Sequence, residues 1–186
     1  MNLIVAITGA SGALGARLLM AASPWPVTLI ASKWGEHVYE RECGDFEALK
    51  SMAAEVWSPD DLSAPVASGS VPCAGMVILP CSCNTLGQVA AGISDNLITR
   101  AAHCQLKEQR KLILCVREAP WTRIDLENAA RVAGAGGIIM PLSPPYYMFG
   151  AQDPGQVNLT QLLQAYVERI LALLGRPAPD NWKTVR

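Results

Sequence analysis

The chain has 186 residues, a length typical of one domain and sufficient to bury roughly 70% of the surface that the unfolded chain exposes. Its formal net charge is −1, from 15 basic and 16 acidic residues, so charge favours neither a nucleic acid nor a membrane surface as a partner. Charged residues make up 17% of the chain, against about 25% in typical proteins.

Two stretches, 62–94 and 132–152, contain no charged residue. Proline and glycine interrupt both, so neither is the ~20-residue apolar helix that spans a membrane. We expect the uncharged surface to be covered by other subunits of a homo-oligomer. An unusually apolar monomer is the alternative.

The first seven residues are apolar and have no basic leader, which indicates a buried strand and not a signal peptide. We therefore expect a cytoplasmic protein whose six cysteines stay reduced. Cys81-x-Cys83 lacks the two-residue gap of a zinc knuckle or a thioredoxin-type pair, and His103-Cys104 has no ligand partners at metal-site spacing. No metal site is predicted.

Short apolar runs alternate with longer amphipathic runs, a pattern typical of βαβ units on a parallel sheet. The predicted strands are Leu3–Thr8, Val27–Ala31, Met76–Pro80, Lys111–Val116 and Gly137–Met140. The predicted helices are Ala13–Ala22, Lys33–Cys43, Thr85–Ala91, Asn96–Leu106, Arg123–Ala133 and Leu159–Leu174.

These elements predict an α/β fold, namely a Rossmann-like (flavodoxin-like) doubly wound parallel sheet in three α/β/α layers. We expect a single domain over residues 1–175, followed by a C-terminal tail over 176–186. Ligands of such sheets bind at the carboxyl ends of the strands, where the strand order reverses. Functional residues are therefore sought in the loops after the predicted strands.

The first strand ends in Thr8-Gly9-Ala10-Ser11-Gly12. Glycines let the backbone approach a phosphate closely, and the next helix directs free N–H groups at the anion. The same spacing also suits a dinucleotide or a purely structural turn. The second strand closes on Ser32, where an acidic residue would favour NAD, so a dinucleotide becomes the weaker alternative.

The next two strand ends carry polar groups. Ser82 and Thr85 stand where a helix begins, and they either cap it or hold part of a flavin. The charged pair Arg117-Glu118 directly follows an apolar strand. It is either a surface ion pair or part of a site at the same sheet edge, and its position favours the site.

Further cations and phenols lie elsewhere in the sequence. Arg100 and Lys107 are seven residues apart, and so lie on one helix face. Spacing alone favours an ordinary solvated face over a phosphate clamp. The proline-rich loop after the fifth strand presents Tyr147, which either packs or donates to a phosphate, and Arg169 lies on the last helix.

Several segments stand in a recognisable order along the chain: Thr8-Gly9-Ala10-Ser11-Gly12, Ser68-Gly69-Ser70, Gly75-Met76-Val77-Ile78-Leu79-Pro80-Cys81-Ser82 with Thr85-Leu86, Asp95-Asn96-Leu97, Arg100-Ala101-Ala102, Leu106-Lys107-Glu108, and Arg117-Glu118 with Pro120. In this order they resemble the flavin prenyltransferases, the family that makes the prenylated flavin used by a class of reversible decarboxylases. The resemblance covers roughly residues 3–175. It departs from the family pattern at Cys73, at His103-Cys104, at Ala119 with Trp121, and at Pro144-Pro145-Tyr146-Tyr147-Met148.

The resemblance implies a metal-independent transferase that joins a dimethylallyl group from dimethylallyl phosphate to N5 and C6 of reduced FMN. The product would serve a UbiD-type decarboxylase, and the assembly would be a homo-oligomer, by resemblance a dodecamer. The positions that match FMN-binding residues are Gly9, Ala10, Ser11, Ser32, Ser82, Thr85 and Arg117. Those that match the substrate phosphate pocket are Arg100, Lys107, Tyr147 and Arg169.

Three positions match catalytic roles by the same resemblance. Glu118 matches an acid/base residue, and Ser11 would lie near flavin N5. Glu42 stands ten residues after Ser32, where relatives often carry a catalytic glutamate that reaches in from a neighbouring subunit. Two other functions remain open: a flavin-dependent decarboxylase of peptidyl or pantothenoyl cysteine, for which only His37 and His103 could supply the histidine, and a non-catalytic FMN carrier.

Overall fold

The structure is a computed structural model that describes residues 1–143 and 154–176. Within these residues the strands are β1 (Asn2–Ile7), β2 (Val27–Ala31), β3 (Glu55–Trp57), β4 (Cys73–Cys81), β5 (Leu112–Val116) and β6 (Ile138–Ile139). The α-helices are α1 (Leu14–Ala22), α2 (Lys33–Cys43), α3 (Phe46–Lys50), α4 (Cys83–Ala90), α5 (Leu97–Lys107), α6 (Arg123–Gly134) and α7 (Leu159–Leu173). Short 3₁₀ helices cover Pro65–Ala67 and Pro154–Gln156.

The strands form one parallel sheet in the order β3-β2-β1-β4-β5-β6. The central strand β1 pairs with β2 on one side and β4 on the other, so that Val5 is level with Leu29 and Val77. The order reverses between β1 and β4. This arrangement confirms the predicted doubly wound sheet, and it places the expected ligand position at the loops that follow β1 and β4.

Side chains of each strand alternate between two buried faces of the sheet. From β1, Leu3, Val5 and Ile7 pack in the core with α1 and α7, whereas Ile4 and Ala6 pack in the core with α4 and α5. Helices therefore cover both faces, as the near-continuous apolar strands require. The result is the predicted three-layer, single-domain architecture.

The sequence prediction omitted β3 and α3. β3 has three residues, of which Glu55 and Val56 are exposed, so it offers no apolar run to recognise. α3 has five residues, too few to show a helical period, although Phe46 and Leu49 are buried. β4 begins at Cys73, ahead of the predicted Met76, because its first residues pair with β1.

The predicted tail is described only at its first residue, and residues 177–186 lie outside the described part. Arg176 contacts the domain: its guanidinium donates to the carbonyl of Ala22 at 3.3 Å and lies 3.1 Å from the Glu168 carboxylate. Among the helices of residues 1–143 and 154–176, none is long and apolar enough to cross a membrane.

Candidate active site

The buried side chain of Thr8 joins the loops after β1 and β4. Its hydroxyl accepts a hydrogen bond from the Ser82 amide at 2.8 Å and donates to the Pro80 carbonyl at 3.0 Å. These bonds hold the glycine loop beside the start of α4. The two segments therefore form one continuous rim at the carboxyl edge of the sheet.

Three cavities adjoin along this rim. The outer cleft has a volume of about 670 Å³, the middle cavity about 310 Å³ and the leucine cavity about 460 Å³. Gly9 and Ser82 line both the outer cleft and the middle cavity, and Ser11 and Arg117 line both the middle and the leucine cavity. The three volumes thus form one elongated site.

The residues that define each cavity are as follows. The outer cleft is lined by Thr8, Gly9, Ser32, Lys33, Trp34, Pro59, Asp60, Ser82, Asn84, Thr85, Gln88, Asn96 and Ile98. The middle cavity is lined by Gly9, Ala10, Ser11, Ser82, Cys83, Arg117 and Glu118. The leucine cavity is lined by Ser11, Gly12, Leu14, Glu42, Arg117, Leu142, Leu159 and Leu163.

Three helices begin at the outer cleft. Their N-cap residues are Ser32 for α2, Ser82 for α4 and Asn96 for α5, and each side chain accepts a hydrogen bond from an amide in the first turn of its helix, at 3.0, 3.3 and 3.1 Å. The remaining amides of these first turns carry partial positive charge. Because three helix N-termini meet there, the outer cleft is suited to an anion such as a phosphate.

Hydroxyl groups add donors to the same cleft. The Ser82 hydroxyl oxygen lies 3.1 Å from that of Thr85, and the Ser32 hydroxyl accepts the amide of Gly35. A hydroxyl that accepts a capping bond still carries its own proton to donate. Capping and ligand binding are therefore compatible roles for Ser32 and Ser82.

Arg117 and Glu118 come together with Ser11 in the middle cavity. Arg117 Nε donates to Ser11 Oγ at 2.6 Å, and the Arg117 amide donates to the Cys81 carbonyl at 3.0 Å. Glu118 Oε1 accepts from the Ala119 amide at 3.0 Å, and its carboxylate lies in the exposed mouth of the cavity. The charged pair thus belongs to the sheet edge and not to an ordinary surface patch.

Glu42 lies in the leucine cavity of its own chain. Its carboxylate accepts hydrogen bonds from the amides of Gly12, at 2.9 and 3.2 Å, and Ala13, at 2.8 Å. Within one chain the Glu42 carboxylate thus contacts its own glycine loop, and its expected role at the site of a neighbouring subunit stays a prediction. The carboxylate thereby satisfies two amides at the start of α1, those of Gly12 and Ala13.

Arg100 and Lys107 do not face these cavities within one chain. α5 starts at the outer cleft and runs to the opposite edge of the sheet, where Gln105 accepts a hydrogen bond from Cys73 at the start of β4. Its eleven residues span about 16 Å. Arg100 Nε donates to the Ala67 carbonyl at 2.9 Å, and exposed Lys107 pairs with Glu108.

Of the other two predicted phosphate ligands, Arg169 and Tyr147, the structure describes only Arg169. Arg169 has an exposed side chain on α7, the helix whose Leu159 and Leu163 line the leucine cavity. Tyr147 lies outside the described residues, as do Pro144, Pro145, Tyr146 and Met148.

Cys83, the first residue of α4, lines the middle cavity. Burial, a hydrogen bond to the Asp125 carboxylate and the nearby charges of Asp125 and Glu118 raise the pKa of the Cys83 thiol to about 12. Across residues 1–143 and 154–176, no group of three or more His, Cys, Asp or Glu side chains could hold a metal ion. His37 packs edge-on against Trp34, and it lines none of the three cavities.

Sequence reasoning missed four residues that shape the site: Thr8 as the link between loops, Trp34 and Asn96 in the outer cleft, and Cys83 in the middle cavity. Asn96 carried a detectable signal, since Asn is a favoured N-cap residue and a helix was predicted to begin there. Trp34, two residues after Ser32, follows a strand end and could have been assigned to the edge for that reason.

A doubly wound sheet with an anion-binding cleft, a paired Arg and Ser and an apolar cavity at its switch point defines a nucleotide-binding α/β protein. The Flavoprotein family model matches residues 1–171 of the chain. Flavin prenyltransferase UbiX of Thermoplasma acidophilum is 40% identical over 177 residues, covering 94% of this chain and 95% of the relative. Flavin prenyltransferase PAD1, mitochondrial, of Saccharomyces cerevisiae is 40% identical over 192 residues, covering 100% and 76%.

Solved structures agree. AnUbiX (PadA1) in complex with FMN and dimethylallyl pyrophosphate superposes with a TM-score of 0.87 at 34% identity, covering 95% of this chain and 93% of that chain. A dodecameric FMN-dependent UbiX-like decarboxylase from Escherichia coli O157:H7 gives a TM-score of 0.87 at 33% identity, covering 96% and 97%. The chain therefore belongs to the Flavoprotein family and, within it, to the flavin prenyltransferases.

Proposed function

We propose that this chain joins the dimethylallyl group of dimethylallyl phosphate to N5 and C6 of reduced FMN. The observation that carries the proposal is the elongated site, in which an anion-binding cleft, a polar centre and an apolar cavity follow one another along the sheet edge. One end fits a phosphate, and the other fits a five-carbon hydrocarbon. The names of the relatives and the ligands of the AnUbiX complex support the same substrate pair.

The residues at the outer cleft suit the FMN phosphate, because hydroxyl protons of Ser32, Ser82 and Thr85 accompany the helix N-termini there. Gly9 and Ala10 offer backbone at the passage to the middle cavity, where Arg117 would hold the flavin ring. Bound FMN in its reduced form supplies the nucleophilic atoms of the reaction. The protein contributes binding and orientation.

Glu118 is proposed as the acid/base residue, because its carboxylate lies in the same cavity as Ser11 and Arg117. The Ser11 hydroxyl is oriented by Arg117 Nε, so its proton is free to point at a ligand atom. Glu42 holds the glycine loop in place through the Gly12 and Ala13 amides. It also brings a negative charge to the cavity where positive charge would develop on an allylic carbon.

We propose that a neighbouring subunit supplies Arg100 and Lys107 to the substrate phosphate, since neither lines the three cavities of its own chain and Lys107 ends α5 at the opposite edge of the sheet. A homo-oligomer, and by similarity to the Escherichia coli structure a dodecamer, would bring the two edges together. Tyr147 and Arg169 are proposed as further phosphate ligands. Cations that neutralise the leaving phosphate make a metal unnecessary in this scheme.

The test is anaerobic incubation of the protein with reduced FMN and dimethylallyl phosphate, followed by the mass of the released flavin. A gain of one five-carbon unit is expected, and no gain with either the phosphate or the pyrophosphate donor contradicts the proposal. Glu118→Gln should slow the gain while FMN stays bound. Flavin that binds but never gains mass would favour a carrier, and decarboxylation of a cysteinyl peptide would favour the cysteine decarboxylases.

We further propose that the product passes to a UbiD-type decarboxylase in the cytoplasm. All six cysteines are free thiols in the structure, as expected in a reducing compartment. Addition of the protein and its substrates to an apo-decarboxylase of this type should restore decarboxylation. Restoration by FMN alone would contradict this transfer.

A further inference from the structure

Arg110 binds the backbone of a loop, residues 67–72, that connects a 3₁₀ helix to β4 and lies against α5. We call this segment the serine loop. One terminal nitrogen of the Arg110 guanidinium donates to the Gly69 carbonyl at 2.6 Å, and the other donates to the Val71 carbonyl at 2.8 Å. Because the guanidinium is planar and its donors are fixed, this pair of bonds restrains the shape of the loop.

The turn that ends α5 fixes the backbone of Arg110. The Arg110 amide donates to the Gln105 carbonyl at 2.8 Å, and the Gln109 amide donates to the Leu106 carbonyl at 3.1 Å. This pair of bonds closes a helix when the residue after its C-cap is left-handed, and Gln109 has a φ of +53°. Both the backbone and the side chain of Arg110 are therefore held by hydrogen bonds.

Gly69 brings the serine loop into contact with Lys107, the last residue of α5. An added Cβ on Gly69 would lie 2.5 Å from Lys107 Nζ and 2.9 Å from Lys107 Cε, so the end of the lysine side chain lies directly against the glycine. The carbonyl of this same glycine accepts the bond from Arg110. A shift of the loop would therefore move the surface against which the Lys107 ammonium lies.

The charges around the Lys107 ammonium leave an excess of positive charge. Lys107 pairs with the adjacent Glu108 carboxylate, and Arg110 is a second cation near that carboxylate. Two cations therefore face one anion. The exposed hydroxyl groups of Ser68 and Ser70, on either side of the glycine, lie 2.8 Å apart and add hydrogen-bond donors. Excess positive charge beside hydroxyl groups suits a phosphate.

We propose that Arg110 is a positioning residue that, through the serine loop, holds the Lys107 ammonium in place for the substrate phosphate. Its two terminal nitrogens donate to loop carbonyls, so Arg110 acts through Lys107 and not on the substrate. The inference rests on the proposed function for the identity of the phosphate, but not for the geometry of Lys107. Without Arg110 the lysine keeps its charge and loses its fixed position.

Steady-state kinetics of flavin prenylation test this role. Arg110→Ala should lower kcat/KM for dimethylallyl phosphate about tenfold, mainly by raising KM, while FMN affinity stays unchanged. Arg110→Lys, whose single ammonium cannot bridge both carbonyls in the same geometry, should recover only part of the loss. The double variant Arg110→Ala with Lys107→Ala should have the kcat/KM of Lys107→Ala alone. An unchanged KM in Arg110→Ala, or losses that add in the double variant, overturns the proposal.

Gly69→Ala tests the same contact and leaves Arg110 intact. The atoms nearest to the added methyl group are the ends of two exposed side chains, Lys107 and Glu108, so the protein should fold and the ammonium should be displaced. Gly134→Ala is the matched control, since nothing lies within 4 Å of its added Cβ. Only Gly69→Ala should raise KM. Equal KM values in these two variants overturn the proposal even if Arg110→Ala fails to fold.

Acetylation of Lys107 gives a readout that does not depend on the reaction. Inorganic phosphate should slow the labelling of Lys107 in the wild-type protein, measured by peptide mass spectrometry, and Arg110→Ala should need about tenfold more phosphate for the same protection. Lys50 is the internal control, because it too pairs with a glutamate, Glu47, and its labelling should not respond to phosphate. Equal protection of Lys107 in both proteins overturns the proposal. A failed proposed function shows itself separately, as wild-type flavin without a five-carbon gain.

Discussion

At the residue scale, the glycine loop is shaped by packing as much as by its ligand. Gly12 has a φ of +107°, and an added Cβ would lie 2.1 Å from Leu142 Cδ2. Ala13 is buried, and its amide bonds Glu42. The loop therefore combines a left-handed turn, a close side-chain contact and a carboxylate bond within two residues.

Gly12→Ala should lower the free energy of unfolding by about 2 kcal/mol more than Gly136→Ala. Both positions have positive φ, but only Gly12 has a side chain in the space that the methyl group would take. Urea unfolding of the two variants isolates the cost of the clash. Equal losses would show that Leu142 moves aside freely.

At the element scale, some residues that begin helices also line the candidate site. The N-caps of α2, α4 and α5 both begin helices and line the outer cleft, whereas the cap of α7, Asn158, is not among its lining residues. Substituting a cap residue at the cleft and one away from it therefore separates the effect of capping on stability from the effect of the residue on ligand binding.

Ser82→Ala and Asn158→Ala should each cost about 1 kcal/mol of stability, because each removes a capping bond. Only Ser82→Ala should also weaken FMN binding, which fluorescence titration of the flavin would measure. Equal FMN affinity in the two variants would reduce Ser82 to a capping role.

The hydrogen bonds at the start of α6 predict that the stability of the fold depends on pH. Hydrogen bonds from the Thr122 hydroxyl and amide hold the pKa of the Asp125 carboxyl below its usual value. A carboxyl whose pKa is lowered on folding stabilises the fold above its unfolded pKa, and this contribution is lost as pH falls through the folded value. The stability advantage of the wild type over Asp125→Asn should therefore be full near neutral pH and shrink below about pH 4. An advantage that grows on acidification would contradict this.

At the scale of the whole molecule, the outer cleft and Lys107 lie at opposite edges of the sheet of one chain. Exposed apolar side chains, among them Trp34, Ile124, Leu126 and Leu159, accompany the low overall charge. Both features fit a chain that works in an assembly. Light scattering should give a mass well above the 19.9 kDa of one chain.

Mixed assemblies test whether sites are shared. Lys107→Ala and Glu118→Gln should each be nearly inactive alone. Co-assembled in equal amounts, they should regain about a quarter of the wild-type activity, because that fraction of sites would combine an intact Lys107 with an intact Glu118. The control is a mixture of Lys107→Ala and Lys107→Met chains prepared in the same way, in which no site contains an intact Lys107. No recovery in the first mixture would place both residues in one chain's site.

The sequence by itself determined the central strands of the sheet and the loops that follow them. Strands β1, β2, β4 and β5 are apolar runs, and Ser32 marks the start of α2. These signals are local, because the residues of each element themselves show whether it is buried and where it is capped, so they can be read before the fold is known. The carboxyl-edge loops with Ser11, Ser82 and Arg117 followed from that order alone. A motif resemblance then supplied the chemistry.

Only the tertiary structure decided which groups meet. Arg117 reaches Ser11 across 106 residues of sequence, and Glu42 reaches Gly12 across 30. No periodicity reports such pairs, because they depend on how β1, α2 and β5 are placed around the switch point. The same placement separates Lys107 from Glu118, so the sequence names the parts of the site while the packing of the sheet decides their partners.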